Sequence, residues 1–294
     1  MENAKIGIVT VLYKSEAVVE DFFRTLNEQS YKNFILYIID NKSPDSSLDK
    51  SKELAKFVWF ETKFIENDDN YGVAKGNNQG IEAALKDECD FVLLSNNDVV
   101  LRTDTIEKLY IGLIKNNADM AVPKIYFYNT KIIWSAGGKF RWFLNIGLHI
   151  GGGKKDKKRY NKNYFITYAP TCFMLIKKDI FSIVGVIDEK YFVYGDDSDF
   201  IYRAVKKLKR KLIYIYDSEV EHKEGVSTGG PLSDFFCHYV YRNRIYFAKK
   251  HNNFFFFYFF LELLFHYTIR RVKLKNYKHQ WQVIKSAFFT GLRY

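Results

Sequence analysis

The chain has 294 residues, enough to bury a full core in one large or two small domains, and a single α/β domain with an appendix is the expectation. Its formal net charge of +11 and its 18% aromatic content suit anionic lipid, nucleic acid or a phosphorylated substrate without choosing among them. No apolar segment reaches the ~20 uninterrupted residues that a membrane-spanning helix needs, and Cys89, Cys172 and Cys237 are odd in number and lack CxxC spacing, which argues against a disulfide framework. Reduced thiols, with Met1 to Lys5 running directly into a strand rather than resembling a signal peptide, suit a cytosolic protein.

Ile6 to Leu12 reads as a first buried strand, and Ser15 then opens a helix whose apolar positions Val18, Val19, Phe22, Phe23 and Leu26 recur at helical spacing. A second strand, Phe34 to Ile39, ends at the polar cluster Asp40 to Ser46. Leu48 to Ala55 predicts a short helix, and Phe57 to Ile65 one or two short strands. Asn70 to Gly80 is Gly- and Asn-rich and predicts a turn running into a helix over Ile81 to Leu85.

The run Phe91 to Leu94 has the length and composition of a strand covered on both faces, and it empties into Ser95, Asn96, Asn97 and Asp98. Ligands of open α/β sheets bind beyond the carboxyl ends of such strands. Asp98 is a hard oxygen ligand suited to Mg or Mn, but a polar turn capping the next helix accounts for this window equally well. That helix opens at Thr103 or Asp104 and runs through Ile114. Alternating strands and helices to this point predict a parallel sheet.

After about Pro123 the rhythm breaks. Ile132 to Gly138 and Gly147 to Gly153 predict loops and short strands, and Lys154 to Arg159 a solvated, mobile loop. Thr171 to Ile176 reads as a strand and Asp179 to Val184 as a short helix. Ile187 to Tyr194 leads into Gly195-Asp-Asp-Ser-Asp199, followed by a helix over Phe200 to Lys207 and a strand over Leu212 to Tyr216. Beyond Pro231 the chain is helical in character: Phe235 to Lys250 is basic and aromatic, and Phe254 to Phe265 is almost wholly apolar. Arg270, Arg271, Lys273 and Lys275 follow.

Three acidic clusters thus fall at strand ends, at Asp40, at Asp98, and at Asp196, Asp197 and Asp199. An Asp in the first turn of a helix is a favourable cap. Three together are less easily explained so, because adjacent carboxylates raise one another's pKa and suit a place where a cation or a proton transfer compensates.

At these clusters the chain resembles the family 2 glycosyltransferases of GT-A fold, and within them the rhamnosyltransferase-type enzymes of bacterial surface polysaccharide assembly. The matching pieces, in family order, are Thr10-Val-Leu-Tyr13, Ile39-Asp-Asn-Lys-Ser-Pro-Asp45-Ser, Asn70-Tyr-Gly-Val-Ala-Lys-Gly-Asn-Asn-Gln-Gly80, Leu94-Ser-Asn-Asn-Asp98, Trp134-Ser-Ala-Gly-Gly138, Val186 to Asp199, His222-Lys-Glu-Gly-Val-Ser227 and Tyr241-Arg-Asn-Arg244. The resemblance implies an α/β GT-A domain over 1–230, with a nucleotide-sugar-binding half (1–122) and an acceptor-binding half (123–230), and a helical C-terminal appendix over 231–294.

It further implies that Thr10, Tyr13, Asp40, Gly72, Lys75, Asn96, Asn97 and Asp98 bind the nucleotide sugar, with Gly72 and Gly76 letting the backbone approach the ligand. Asp98 would hold a divalent cation, Mg or Mn, and His222 would be a further ligand or a structural histidine. Asn96 stands where the family carries the first acid of its Asp-x-Asp element, and one charge fewer weakens the metal site. Asp197 falls at the position of the catalytic base; Asp196 and Asp199 would orient the acceptor or cap the helix. Trp134, Gly137 and Gly138 fall where the family builds acceptor contacts, although a buried Trp is the commoner fate. Arg242 and Arg244 would meet a diphosphate or lipid phosphate, or form a solvated helix face.

These readings imply an inverting hexosyltransferase whose partners are a nucleotide-sugar donor and a glycan or polyprenol-linked acceptor, with no nucleic acid. dTDP-rhamnose is the donor the subfamily suggests, and UDP-hexose or UDP-galactofuranose are alternatives. The apolar tail flanked by basic residues suits a peripheral position on the inner face of the cytoplasmic membrane. A helical homodimer interface or packing against the catalytic domain is the competing use. A binding module without catalysis leaves Asp98 and Asp197 idle, and a nucleotidyltransferase would need a Gly-rich basic loop that Tyr13-Lys-Ser-Glu16 lacks.

Overall fold

A computed structural model describes residues 3–141, 146–223, 233–251, 261 and 277–293. Strands β1 (Ile6–Leu12), β2 (Phe34–Asp40), β3 (Glu61–Glu66) and β4 (Phe91–Ser95) form its parallel half. β2 and β4 are buried along their whole length, as strands covered on both faces must be. β2 pairs with one side of β1 and β4 with the other, so strand order reverses direction at β1, and a crevice opens between the carboxyl ends of β1 and β4.

The remaining strands are β5 (Val99–Leu101), β6 (Met120–Phe127), β7 (Ile132–Ser135), β8 (Gly138–Arg141), β9 (Ile146–His149), β10 (Lys154–Lys155), β11 (Tyr164–Ile166), β12 (Phe173–Lys177) and β13 (Leu212–His222). The main sheet runs β10-β7-β6-β12-β4-β1-β2-β3; β13 pairs with β6, β5 and β11, and β8 with β9 makes a separate hairpin. The helices are α1 (Val19–Asn27), α2 (Ser47–Leu54), α3 (Gly72–Lys86), α4 (Thr105–Lys115), α5 (Asp179–Val184), α6 (Asp196–Ile201), α7 (Asp234–His251) and α8 (Tyr277–Arg293).

One face of the sheet packs on α1 and α4 through Ile6, Ile8, Phe22, Leu26, Ile106 and Leu113; the other packs on α3, α5 and α6 through Val9, Ile81, Ile180 and Phe200. At the C-terminal end α7 lies on α8 through Cys237, Ile245, Ile284 and Phe288. Among the described residues no helix is long and apolar enough to cross a membrane. Apart from Leu261, the apolar run Phe254 to Phe265 and the basic residues Arg270, Arg271, Lys273 and Lys275 lie outside the described residues.

The structure departs from the sequence reading in five places. α3 begins at Gly72, so the Gly/Asn-rich stretch is helix rather than turn. Its glycines face protein: a Cβ on Gly76 would lie 2.9 Å from Val11, and one on Gly80 would lie 2.3 Å from Val9 and 2.8 Å from Ile39. Close helix-to-sheet packing therefore explains composition that reads locally as a turn. β6 runs straight through Pro123, and its ladder with β13 is irregular between Ile215 and Glu219, where the imide offers no donor.

Lys154 to Arg159 is ordered. β10 pairs with β7, and Asp156 turns inward to accept hydrogen bonds from Lys124 Nζ (2.9 Å) and the Tyr126 hydroxyl (2.6 Å). The helix placed at Phe200 starts four residues earlier at Asp196, and its continuation Tyr202–Lys207 is a π-helical turn. β13 extends to His222, six residues past Tyr216. That extension carries His222 to the crevice.

Candidate active site

At the mouth of the crevice, Thr10 is fully buried on β1 and Asn97 reaches across from the end of β4. The Asn97 amide donates to Val11 O (2.8 Å) and approaches Thr10 Oγ1 (3.5 Å). Asp40, 4% exposed, ends β2, and among the described residues its carboxylate accepts only long bonds of 3.3 Å from Ser43 N. Tyr13 is half-buried just past the end of β1. Asn96 is exposed, with its backbone N–H on Cys172 O (2.8 Å). Lys75 stands on the first turn of α3 with its ammonium 4.0 Å above the Tyr71 ring.

Asp98 lies between β4 and β5, and β13 runs antiparallel to β5 with His222 opposite Val99. The bond from Lys223 N to Asp98 O (2.9 Å) fixes that register. Asp98 Oδ1 and His222 Nε2 approach to 3.0 Å, yet both atoms are buried and neither makes a hydrogen bond among the described residues. Two such atoms converging without satisfying each other fit a shared cation, and carboxylate plus imidazole is a donor set that suits Mn better than the oxygen-preferring Mg. No cluster of three or more His, Cys, Asp or Glu side chains suited to a metal ion occurs among the described residues.

Aromatic rings connect this pair to the acidic helix. Trp134 stands edge-on to His222 (4.8 Å) and to His149 (4.6 Å), and His149 is edge-on to Tyr168 (5.8 Å). The Tyr168 hydroxyl donates to Asp197 Oδ2 (2.9 Å). The Cys172 thiol lies within reach of both ends: burial raises its pKa well above normal, and the charges of Asp98 and Asp197 raise it further.

The three acids of α6 have three environments. Burial pushes Asp196 up to about 7, helped by the charge of Asp197. Burial also raises Asp197, while the Tyr168 hydroxyl and the Ser198 N–H oppose it by bonding the charged form. For Asp199, the hydrogen bond from His251 and the charges of Arg203 and Lys250 overcome burial and hold the carboxyl below the usual range. Asp199 is wholly buried in the first turn of α6, where Arg203 at 2.8 Å, Lys250 at 2.8 Å and His251 at 2.7 Å make it part of an internal ion cluster.

The loop before α6 is tied down from two sides. Asn78 donates to Ile187 O (2.8 Å) and accepts from Ile187 N (3.0 Å); Gly72, at φ +82°, leaves the space that the Phe192 ring and carbonyl fill. Gly72 therefore lets Phe192 pack where a side chain would otherwise stand. From α7, Asn243 Nδ2 donates to Val193 O (2.7 Å) and Tyr194 O (2.5 Å), and Arg242 donates to Lys190 O (2.6 Å). Arg242 is 6% exposed, which removes both the phosphate-binding and the solvated-face readings for it.

Gly137, at φ +72°, turns the chain where a Cβ would lie 2.9 Å from Ile166, so it shapes the β7–β8 turn. Trp134 is half-buried and stands edge-on to His222 of the Asp98 pair. Sequence reasoning missed Tyr168, His149 and Asn243. The Asn243 signal lay in the quoted Tyr241-Arg-Asn-Arg244 piece, whereas nothing local distinguishes Tyr168 among 22 tyrosines.

Comparison with known proteins identifies the family and the fold. The sequence profile of the family described as Glycosyl transferase family 2 matches residues 7–184. The low-salt glycan biosynthesis hexosyltransferase Agl10 of Haloferax volcanii is 25% identical over 204 residues, which span 68% of this chain and 61% of that protein. The dTDP-rhamnosyl transferase RfbF of Shigella flexneri is 23% identical over 209 residues, 69% of this chain and 64% of that protein. The matched region thus spans less than two thirds of either relative. Among solved structures, GalNAc-T7 with UDP, GalNAc and Mn2+ superposes with a TM-score of 0.66 at 13% identity, over 99% of this chain and 56% of that one. The fold is GT-A.

Proposed function

Because the chain belongs to glycosyl transferase family 2, we propose that it moves a sugar, with inversion, from a nucleoside-diphosphate donor to a glycan or polyprenol-linked acceptor in surface polysaccharide synthesis. The observation that carries this reading is the connected path from the Asp98–His222 pair through Trp134, His149 and Tyr168 to Asp197. It joins one end suited to a diphosphate with another suited to a proton.

In this reading Thr10, Tyr13, Asp40 and Asn97 hold the nucleotide, and Lys75 and Asp98 face the diphosphate. Asp98 and His222 would hold a divalent cation, whose Lewis acidity favours departure of the diphosphate. Asp197 accepts the proton of the acceptor hydroxyl as its oxygen bonds the anomeric carbon, and the bond from that carbon to the diphosphate oxygen breaks on the opposite face. Tyr168 keeps Asp197 aimed, and Asp196 is the neighbour on which a proton resides most readily.

dTDP-rhamnose is the donor we favour, in line with the name of the Shigella flexneri relative; a UDP-hexose is the alternative. A thermal-shift series with dTDP, UDP and GDP, each with and without Mn, identifies the nucleotide, because a ligand bound only by the native state raises its stability. No shift with any of them refutes the reading. Asp197→Asn lowers turnover roughly a hundredfold or more with the nucleotide shift intact, and unchanged turnover removes Asp197 as base.

We place the enzyme at the inner face of the cytoplasmic membrane through its C-terminal region, residues 231–294. Equal liposome flotation of the full chain and of one ending near Lys250 rules out anchoring by the tail.

A further inference from the structure

We propose that the groove between the β8–β9 hairpin and β11 is a subsite for acidic sugar units of an extended acceptor glycan. This inference rests on the acceptor reading above. The groove encloses about 540 Å³, within the range of ligand sites, and Lys139, Lys154, Arg159, Tyr160, Phe165 and Thr167 are among its lining residues.

Its charge is one-sided. Three cations line it and no carboxylate does among the described residues. The only acid between Lys154 and Arg159 is Asp156, which turns away to Lys124 and Tyr126. That inward bond also pins the basic segment, so its cations are displayed from an ordered wall and not from a loose loop. Gly151, at φ +78°, lets the wall close on Tyr160, where a Cβ would lie 3.1 Å from the ring.

Beside the cations an aromatic face is left open. Phe165 is 56% exposed, and Arg159 covers Tyr160 at 4.7 Å. A ring next to ammonium and guanidinium groups fits a ligand with an apolar C–H face and an anionic substituent, which describes a sugar carrying a carboxylate or phosphate better than a free inorganic anion. The groove also adjoins the reaction centre. Thr167 precedes Tyr168, whose hydroxyl bonds Asp197, and Ile150 follows His149, which stands edge-on to Trp134. Groove-lining residues and residues of the path to Asp197 are thus chain neighbours in two separate segments, Thr167–Tyr168 and His149–Ile150.

The test uses the full chain, titrated with oligogalacturonate, with neutral maltooligosaccharide of the same length, and with phosphatidylglycerol vesicles. The acidic oligosaccharide is expected to bind roughly tenfold or more tighter than the neutral one, with affinity falling as salt rises. Lys154→Glu with Arg159→Glu abolishes that preference, Lys154→Arg retains it, and Phe165→Ala weakens both saccharides, all with the melting temperature and the nucleotide-induced shift unchanged. Equal binding of acidic and neutral saccharides overturns the proposal, as does a charge reversal that weakens only vesicle binding. Groove failure with an intact nucleotide shift refutes this inference alone, whereas loss of any nucleotide shift in the parent chain refutes the glycosyltransferase reading on which it rests.

Discussion

Asp98 Oδ1 and His222 Nε2 lie 3.0 Å apart, both buried, yet neither makes a hydrogen bond among the described residues. The β5–β13 ladder holds them in this relation although 124 positions of sequence separate them. If they share a cation, His222→Ala raises the Mn concentration needed for half-maximal activity by roughly tenfold or more. It also shrinks the Mn-dependent part of the nucleotide thermal shift. A variant with the parent's Mn response shows that His222 is structural.

Tyr168→Phe removes the hydroxyl that bonds the charged form of Asp197. Burial raises Asp197 and this bond opposes the rise, so the variant titrates higher still. The acid limb of the pH–turnover profile moves to higher pH, with turnover recovering on the alkaline side. A limb that stays in place or moves down contradicts the role.

Asp196 governs a pH-dependent stability cost. Its carboxyl is raised to about 7 in the fold, by burial first, against about 3.9 in an unfolded chain. The native state therefore prefers the protonated form. Its contribution is complete below about pH 4 and is lost as pH rises through about 7. Asp196→Asn has no charge to bury, so its melting temperature relative to the parent climbs between pH 4 and pH 8. The gain is bounded at roughly 1.4 kcal/mol per unit of displacement. A difference independent of pH contradicts the assignment.

Asn243 bonds two successive carbonyls of the loop that carries the acids. Asn243→Ala leaves Val193 O and Tyr194 O without this donor, at a cost of about 1–3 kcal/mol, read as a lower melting temperature. Because the loop positions Asp197 and not the nucleotide, kcat falls roughly tenfold or more while dTDP or UDP affinity holds. Equal loss of both would mean that α7 supports the whole domain and not the base.

Gly80 sits where α3 touches the sheet. Its missing Cβ would lie 2.3 Å from Val9 Cγ1, so Gly80→Ala costs about 1–3 kcal/mol through overpacking. Urea unfolding measures it. A neutral result would show that α3 shifts freely on β1.

The sequence by itself determined the parallel half of the sheet and the identity of the acids. Val-, Ile- and Leu-rich runs at Ile6, Phe34 and Phe91 have no stable place except between two covering layers, and each ends in polar side chains that cannot follow the strand into the core. Local composition misled where a residue's reason lies far away in the chain. Gly72, Gly76 and Gly80 read as a turn because the neighbours that require them, Phe192, Val11 and Val9, are known only after folding. Asp156 read as part of a mobile basic loop because Lys124 and Tyr126 stand some thirty residues earlier.

The division of labour among Asp196, Asp197 and Asp199 was likewise closed to sequence. All three are the same residue on one helix turn, and only their packing differs: one enclosed without a cation, one bonded by Tyr168, one surrounded by Arg203, Lys250 and His251. Sequence supplies the titrating groups, whereas tertiary structure sets what each one faces, because desolvation and charge pairing depend on distance in space and not on separation along the chain.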